Sequence, residues 1–196
     1  MSESQCGDKL VIERNILSAG QHLSYSRFVW KVLSLHMTTY FAVGAVASLV
    51  FHYQSLWNSP EFSCLMRSFD SPWVAAGPSL QFVRGFLFAA VLYPIMGFFR
   101  DHRCGGYLLW SLFLGLSIFG QVGPSPGSLE GIIYSKLPLS GHLSTMPEVI
   151  IQTLLFSTGL VAWCRRPLRW MSIATAIGVA LVLCTGILGF IVAVGR

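Results

Sequence analysis

Residues 170–194, "WMSIATAIGVALVLCTGILGFIVAV", are twenty-five consecutive residues without a charge. Coiled as a helix at 1.5 Å per residue, the run is about 37 Å long. That exceeds the roughly 30 Å hydrocarbon core of a bilayer, which about 20 apolar residues suffice to cross. Lipid offers no hydrogen bonds, so a spanning segment must satisfy its own backbone, as a helix or within a closed barrel. A run this long and this uniformly apolar predicts a membrane helix.

Similar charge-free runs occupy 32–51 and 105–122, and two more, 79–99 and 147–164, qualify if one polar residue near an end is tolerated. The whole chain agrees with them. Of its 196 residues 54% are hydrophobic and 11% charged, against about 25% charged in an ordinary soluble domain; its mean hydropathy is +0.63. The predicted fold class is an all-α integral membrane protein, a bundle of five transmembrane helices with long outer connections. A polar segment over 1–26 precedes the bundle over 27–196. That segment has neither the short apolar core nor the small-residue cleavage site of a signal peptide, so none is expected.

Charge sets the direction. Lys9, Arg14, Arg27 and Lys31 precede the first span, Arg100 and Arg103 separate the second and third, and Arg165, Arg166 and Arg169 separate the fourth and fifth. Nine of the thirteen basic residues therefore share one side with Glu3, Asp8, Glu13 and Asp101, for a net +5. The other side balances Arg67, Arg84, Lys136 and Arg196 against Glu61, Asp70, Glu130 and Glu148. Cytoplasmic loops carry the Lys/Arg excess, so the N-terminus is expected in the cytoplasm and the C-terminus outside, in a bacterial plasma (inner) membrane. The connections "RDHRCGG" and "RRPLR" are tight and basic, whereas the outer ones, 52–78 and 123–146, are long and carry Trp57, Trp73 and Tyr134 for an interfacial aromatic belt.

The polar residues of the outer half supply the candidate site. Arg84 falls about 7 Å inside the second span. A charge at that depth either snorkels to the headgroups or finds a partner. Glu130, His142 and Glu148 lie on the same side, which predicts an outer polar cluster of Arg84, Glu130, His142 and Glu148, with Glu148 the best partner for Arg84. "TMPE", residues 145–148, reads as a capping box: a threonine N-cap, a proline in the first turn and a glutamate three residues on. His36 is the histidine well inside a span and reads as a hydrogen-bonded packing residue. A bis-histidine haem would need a second histidine at matching depth, and His22, His52, His102 and His142 fall outside the spans. Gln81 and Gln152 sit near the outer ends of the second and fourth spans. Pro94 removes a helical bond and should kink the second span. Gly44 with Ser48, Ser111 with Gly115 and Ala174 with Gly178 are small residues spaced by four, a pattern that lets helices approach closely within or between subunits.

No phosphate loop, Ser-His-Asp spacing, H-E-x-x-H or paired acidic motif occurs. Cysteines 6, 64, 104, 164 and 184 form no C-x-x-C or zinc pattern. Neither a metal nor another cofactor is expected. The reading that asks least of the sequence is a non-catalytic membrane subunit, acting as scaffold, sensor or anchor. Its partners would be membrane lipids, further copies of itself or another membrane subunit, and a cytoplasmic protein at the basic inner face; nucleic acid is not among them. The alternatives are a channel or transport component and a small membrane enzyme acting on a lipid at the outer leaflet. An impermeant thiol reagent applied to intact cells is expected to label Cys64 and spare Cys6, Cys104 and Cys164. Labelling of Cys104 without lysis would reverse the orientation.

Overall fold

Once apolar side chains face lipid, each backbone N–H must be answered four residues back along its own helix. The computed structural model describes residues 24–120, 123–166 and 168–195. Most of the polar 1–26 segment lies outside them, with Cys6, Lys9, Arg14, residues 121–122 and Arg196. The described chain folds as helices, with no strand: α1 (Tyr25–Val50), α2 (Tyr53–Trp57), α3 (Pro60–Ser63), α4 (Pro72–Leu92), α5 (Met96–Asp101), α6 (Gly105–Ile118), α7 (Leu129–Tyr134), α8 (Leu139–Arg165) and α9 (Arg169–Val194). Four of these, α1, α4, α8 and α9, are long and apolar enough to cross a membrane. The expected third span, 105–122, is α6, a 14-residue helix of about 21 Å, short of a full hydrocarbon core.

The other helices start earlier than the apolar runs. α1 takes Arg27 and Lys31 into its first two turns, since long basic side chains can lie along a helix end and keep their charge at the surface. Pro72 begins α4, a first-turn position where a missing N–H costs nothing. α8 starts at Leu139, so Pro147 lies inside it. Thr145 therefore caps no helix start; its hydroxyl donates to the His142 carbonyl at 3.0 Å. The capping-box reading of 145–148 is corrected accordingly. Pro94 acts more strongly than a kink: α4 stops at Leu92 and the chain resumes as α5 at Met96, because Pro94 has no N–H to offer the Ala90 carbonyl.

α1 is the centre of the bundle, packing against α4, α8 and α9. α6 lies on the far side of α8, and α9 fills the angle between α1 and α4. Phe88 of α4, Phe113 of α6 and Phe156 of α8 meet with ring centroids 5.0 to 6.0 Å apart. The His36 ring of α1 sets its edge against Phe88 at 4.9 Å and Phe156 at 5.5 Å. Four helices thus share one aromatic node.

Close backbone approach depends on particular glycines. A methyl group on Gly178 would stand 2.5 Å from Thr38 Oγ1 of α1, and one on Gly186 would collide with Ser79 of α4. Gly85 brings α4 to α1 in the same way, at 3.1 Å from Leu33 Cα. Among the small residues singled out in the sequence, Gly44 and Gly178 therefore pack within the chain. Gly115 faces open space within 4 Å, Ser111 and Ala174 are exposed and Ser48 is half-buried. Hydroxyls in the spans fold back on their own helices: Thr38, Thr39, Thr153, Thr158, Thr175 and Thr185 each donate to the carbonyl four residues earlier, at 2.6 to 2.8 Å. Overpacking a tight contact costs about 1–3 kcal/mol. Gly178→Leu and Gly186→Leu are each expected to lower the thermal unfolding temperature in detergent, while Gly115→Leu leaves it nearly unchanged.

Candidate functional site

The end of the bundle away from the arginine-rich turns is closed by the two long connections. After α1 ends, His52 adopts a left-handed conformation (φ 49°), which folds the chain back and lays Tyr53 over the bundle. Its hydroxyl donates to Glu148 Oε2 at 2.6 Å. Burial, followed by the hydrogen bond to Glu148 and its charge, pushes the Tyr53 phenol above its ordinary value, so it stays protonated and remains a donor. The other carboxylate oxygen faces Gly44, where an added methyl would lie 3.3 Å from Oε1. The small residue at 44 leaves room for a carboxylate from α8.

The second connection is organised by His142, which is 1% exposed. Its Nδ1 accepts from the Gly127 backbone N–H at 3.0 Å, and Nε2 meets Ser135 Oγ at 3.3 Å. Gly127 has φ 81°, the left-handed region that glycine enters without strain. Ser128 then caps α7 by accepting from the Gly131 N–H at 3.0 Å. Phe62 from the first connection is buried and packs on Gly141 at the start of α8.

Below this cap a line of polar side chains runs into the bundle. Tyr40 of α1 is within electrostatic reach of both Glu148 and Arg84. The charge of Arg84 also reaches His36, which Gln81 of α4 faces. Among the described residues, however, no hydrogen bond of good geometry closes at His36. Both ring nitrogens are buried without a partner, as are Gln81 Oε1, Ser34 Oγ, Ser157 Oγ and Trp110 Nε1. A buried polar atom left unsatisfied costs about 1–3 kcal/mol, and a native structure retaining several in one region calls for a reason. His36, which the sequence reads as a hydrogen-bonded packing residue, is packed between aromatic rings with the Gln81 side chain facing it. With Tyr40, Gln81, Arg84, Glu148 and Tyr53 it forms an array from the cap to the aromatic node. Such an array holds an imidazole, a guanidinium, a carboxylate and two phenols, groups suited to exchanging hydrogen bonds or protons with water or a small polar ligand.

The four residues expected as one cluster are distributed differently. Arg84 is exposed on α4 and Glu148 is half-buried on α8. Among the described residues they form no ion pair with each other; the charge of each reaches Tyr40. His142 is committed to the loop latch, and Glu130 sits in the first turn of α7. Tyr53 is the partner of Glu148 that the sequence reading missed, as its place in a connection carries no periodic signal. His36, Tyr40 and Gly44 do carry one, at successive steps of four along one face of α1. No group of three or more His, Cys, Asp or Glu residues suited to a metal ion occurs among the described residues. Searches of family models, curated proteins and solved structures return no match to this chain.

A hydrogen bond to a charged group is worth about 1.5–3 kcal/mol. Tyr53→Phe and Glu148→Gln are each expected to destabilise the protein, and the double variant to cost less than their sum. Arg84→Ala combined with Glu148→Gln should come closer to additivity, since no direct bond joins them. Thermal unfolding of the single and double variants checks both statements.

Proposed function

We propose that this chain is a non-catalytic polytopic subunit of a bacterial plasma membrane complex, crossing five times with its N-terminal segment in the cytoplasm and acting as a scaffold, sensor or anchor. Several features support the direction. Arg165 donates from Nε to the Arg100 carbonyl at 2.8 Å and from its terminal nitrogen to the His102 carbonyl, which ties the two short connections together. Lys31 Nζ donates to the Trp163 carbonyl at 2.9 Å at the same end. One end of the bundle is thus an arginine- and lysine-rich platform, as a cytoplasmic face should be. The ion pair there, Arg100 with Asp101 at 2.9 Å, is between neighbours in sequence. The guanidinium's hydrogen bond holds the Asp101 carboxyl below the usual range, but such an exposed pair contributes under about 1 kcal/mol.

The observation that carries the association reading is α9. It is a full-length apolar helix, yet only 11% of its spanning window is buried within the chain. Its free side includes Ala176, Ala180 and Cys184, all exposed and spaced by four. Lipid provides no hydrophobic drive for helix pairing, and small residues that admit close backbone contact supply it instead. Ala180→Trp adds bulk on that face without touching the Gly178 and Gly186 contacts. It is expected to shift the particle to a smaller species by mass measurement in mild detergent while leaving unfolding temperature nearly unchanged. Wild-type protein that is a single chain with no co-purifying subunit would sink the reading.

A second reading, a channel or transport component, is favoured by the unpartnered array around His36. Purified protein in sealed vesicles should then carry protons or small ions, and His36→Phe should reduce the rate. Vesicles no leakier than protein-free ones would rule it out.

A further inference from the structure

At the basic end an open groove of about 310 Å³ runs between three helices, lined by Ser26, Arg27, Trp30 and Lys31 of α1, Trp163 of α8 and Ser172 of α9. We propose that it is a binding site for the headgroup of an acidic phospholipid. The Lys31 ammonium is held in place from two directions, by the Trp163 carbonyl at 2.9 Å and by the Trp163 ring, whose centroid is 5.6 Å away. An ammonium has three donors; among the described residues one is used, which leaves two for a ligand. Arg27 lies one helical turn before Lys31 and is exposed, so the two cations stand on one side of α1. No carboxylate lines the groove among the described residues. Arg166, just after α8, and Arg169, the first residue of α9, keep the surroundings positive.

The remaining lining fits the rest of such a molecule. The Ser26 and Ser172 hydroxyls add polar contacts beside the phosphate. Trp30, 42% exposed, presents its indole face to the glycerol and the first acyl carbons, while the buried Trp163 contributes as the support of Lys31, through its carbonyl and its ring. The groove lies where α1 and α9 begin and α8 ends, the level at which tryptophan and basic side chains meet headgroups. Basic pockets between membrane helices hold anionic headgroups for this reason. A zwitterionic lipid would bring its own cation against Arg27 and Lys31, and free phosphate would leave the Trp30 ring uncovered.

The full-length protein, delipidated in detergent, is titrated separately with phosphatidylglycerol, phosphatidylcholine and inorganic phosphate, following bound lipid by native mass spectrometry and stability by thermal unfolding. Phosphatidylglycerol is expected to bind and raise the unfolding temperature, and the other two to do neither. Arg27→Gln and Lys31→Gln should each weaken phosphatidylglycerol binding about five-fold, while Arg103→Gln, on the other short connection, leaves it unchanged. Arg27 is exposed and forms no ion pair among the described residues, so its variant remains informative if Lys31→Gln destabilises the bundle. Equal binding of phosphatidylcholine, full stabilisation by phosphate alone, or equal losses in all three variants would overturn the proposal.

Discussion

In hydrocarbon a polar atom has only the protein to bond to, and the architecture follows from how this chain meets that condition. Backbone groups are satisfied by continuous helices, and threonine hydroxyls are absorbed by the carbonyls of the preceding turn. Pro94 cannot meet the condition inside a helix, and the helix ends beside it. Where the chain leaves the helical regime, at His52 and Gly127, it does so in the caps, where side chains such as His142 and Ser128 take over the unsatisfied amides.

Seen this way, the interior around His36 is an exception with a location. The unpartnered atoms lie on α1, α4, α6 and α8, the helices that the three phenylalanine rings and His36 join. From that node toward the basic end the buried cluster continues through Val32, Leu92, Leu109 and Leu160.

Much of the fold was legible because length and charge decide it. A 25-residue charge-free run has few alternatives, and all four long helices lie where the sequence places spans. Helix starts were not legible, because lysine, arginine and proline read as boundaries in a sequence but are tolerated in a first turn, as Arg27, Lys31 and Pro72 show. Site residues were legible as individuals and not as pairs. Glu148 stands out in the sequence, but Pro147 beside it reads as a helix start; with eight more residues of helix above that proline, the carboxylate meets Tyr53 instead of Arg84. Pairing across helices depends on rotation about each axis, which a single sequence without strong amphipathic periodicity does not encode.

Arg165 carries a consequence for the order in which the protein is made. The carbonyls at Arg100 and His102 that its guanidinium bonds belong to a turn synthesised more than sixty residues earlier. Until α8 has emerged from the ribosome, that turn has no such donor and must rely on water and lipid headgroups. The two short connections are therefore joined late. A half-made chain carries a loose basic hairpin, and only the arrival of a single side chain converts it into a braced floor.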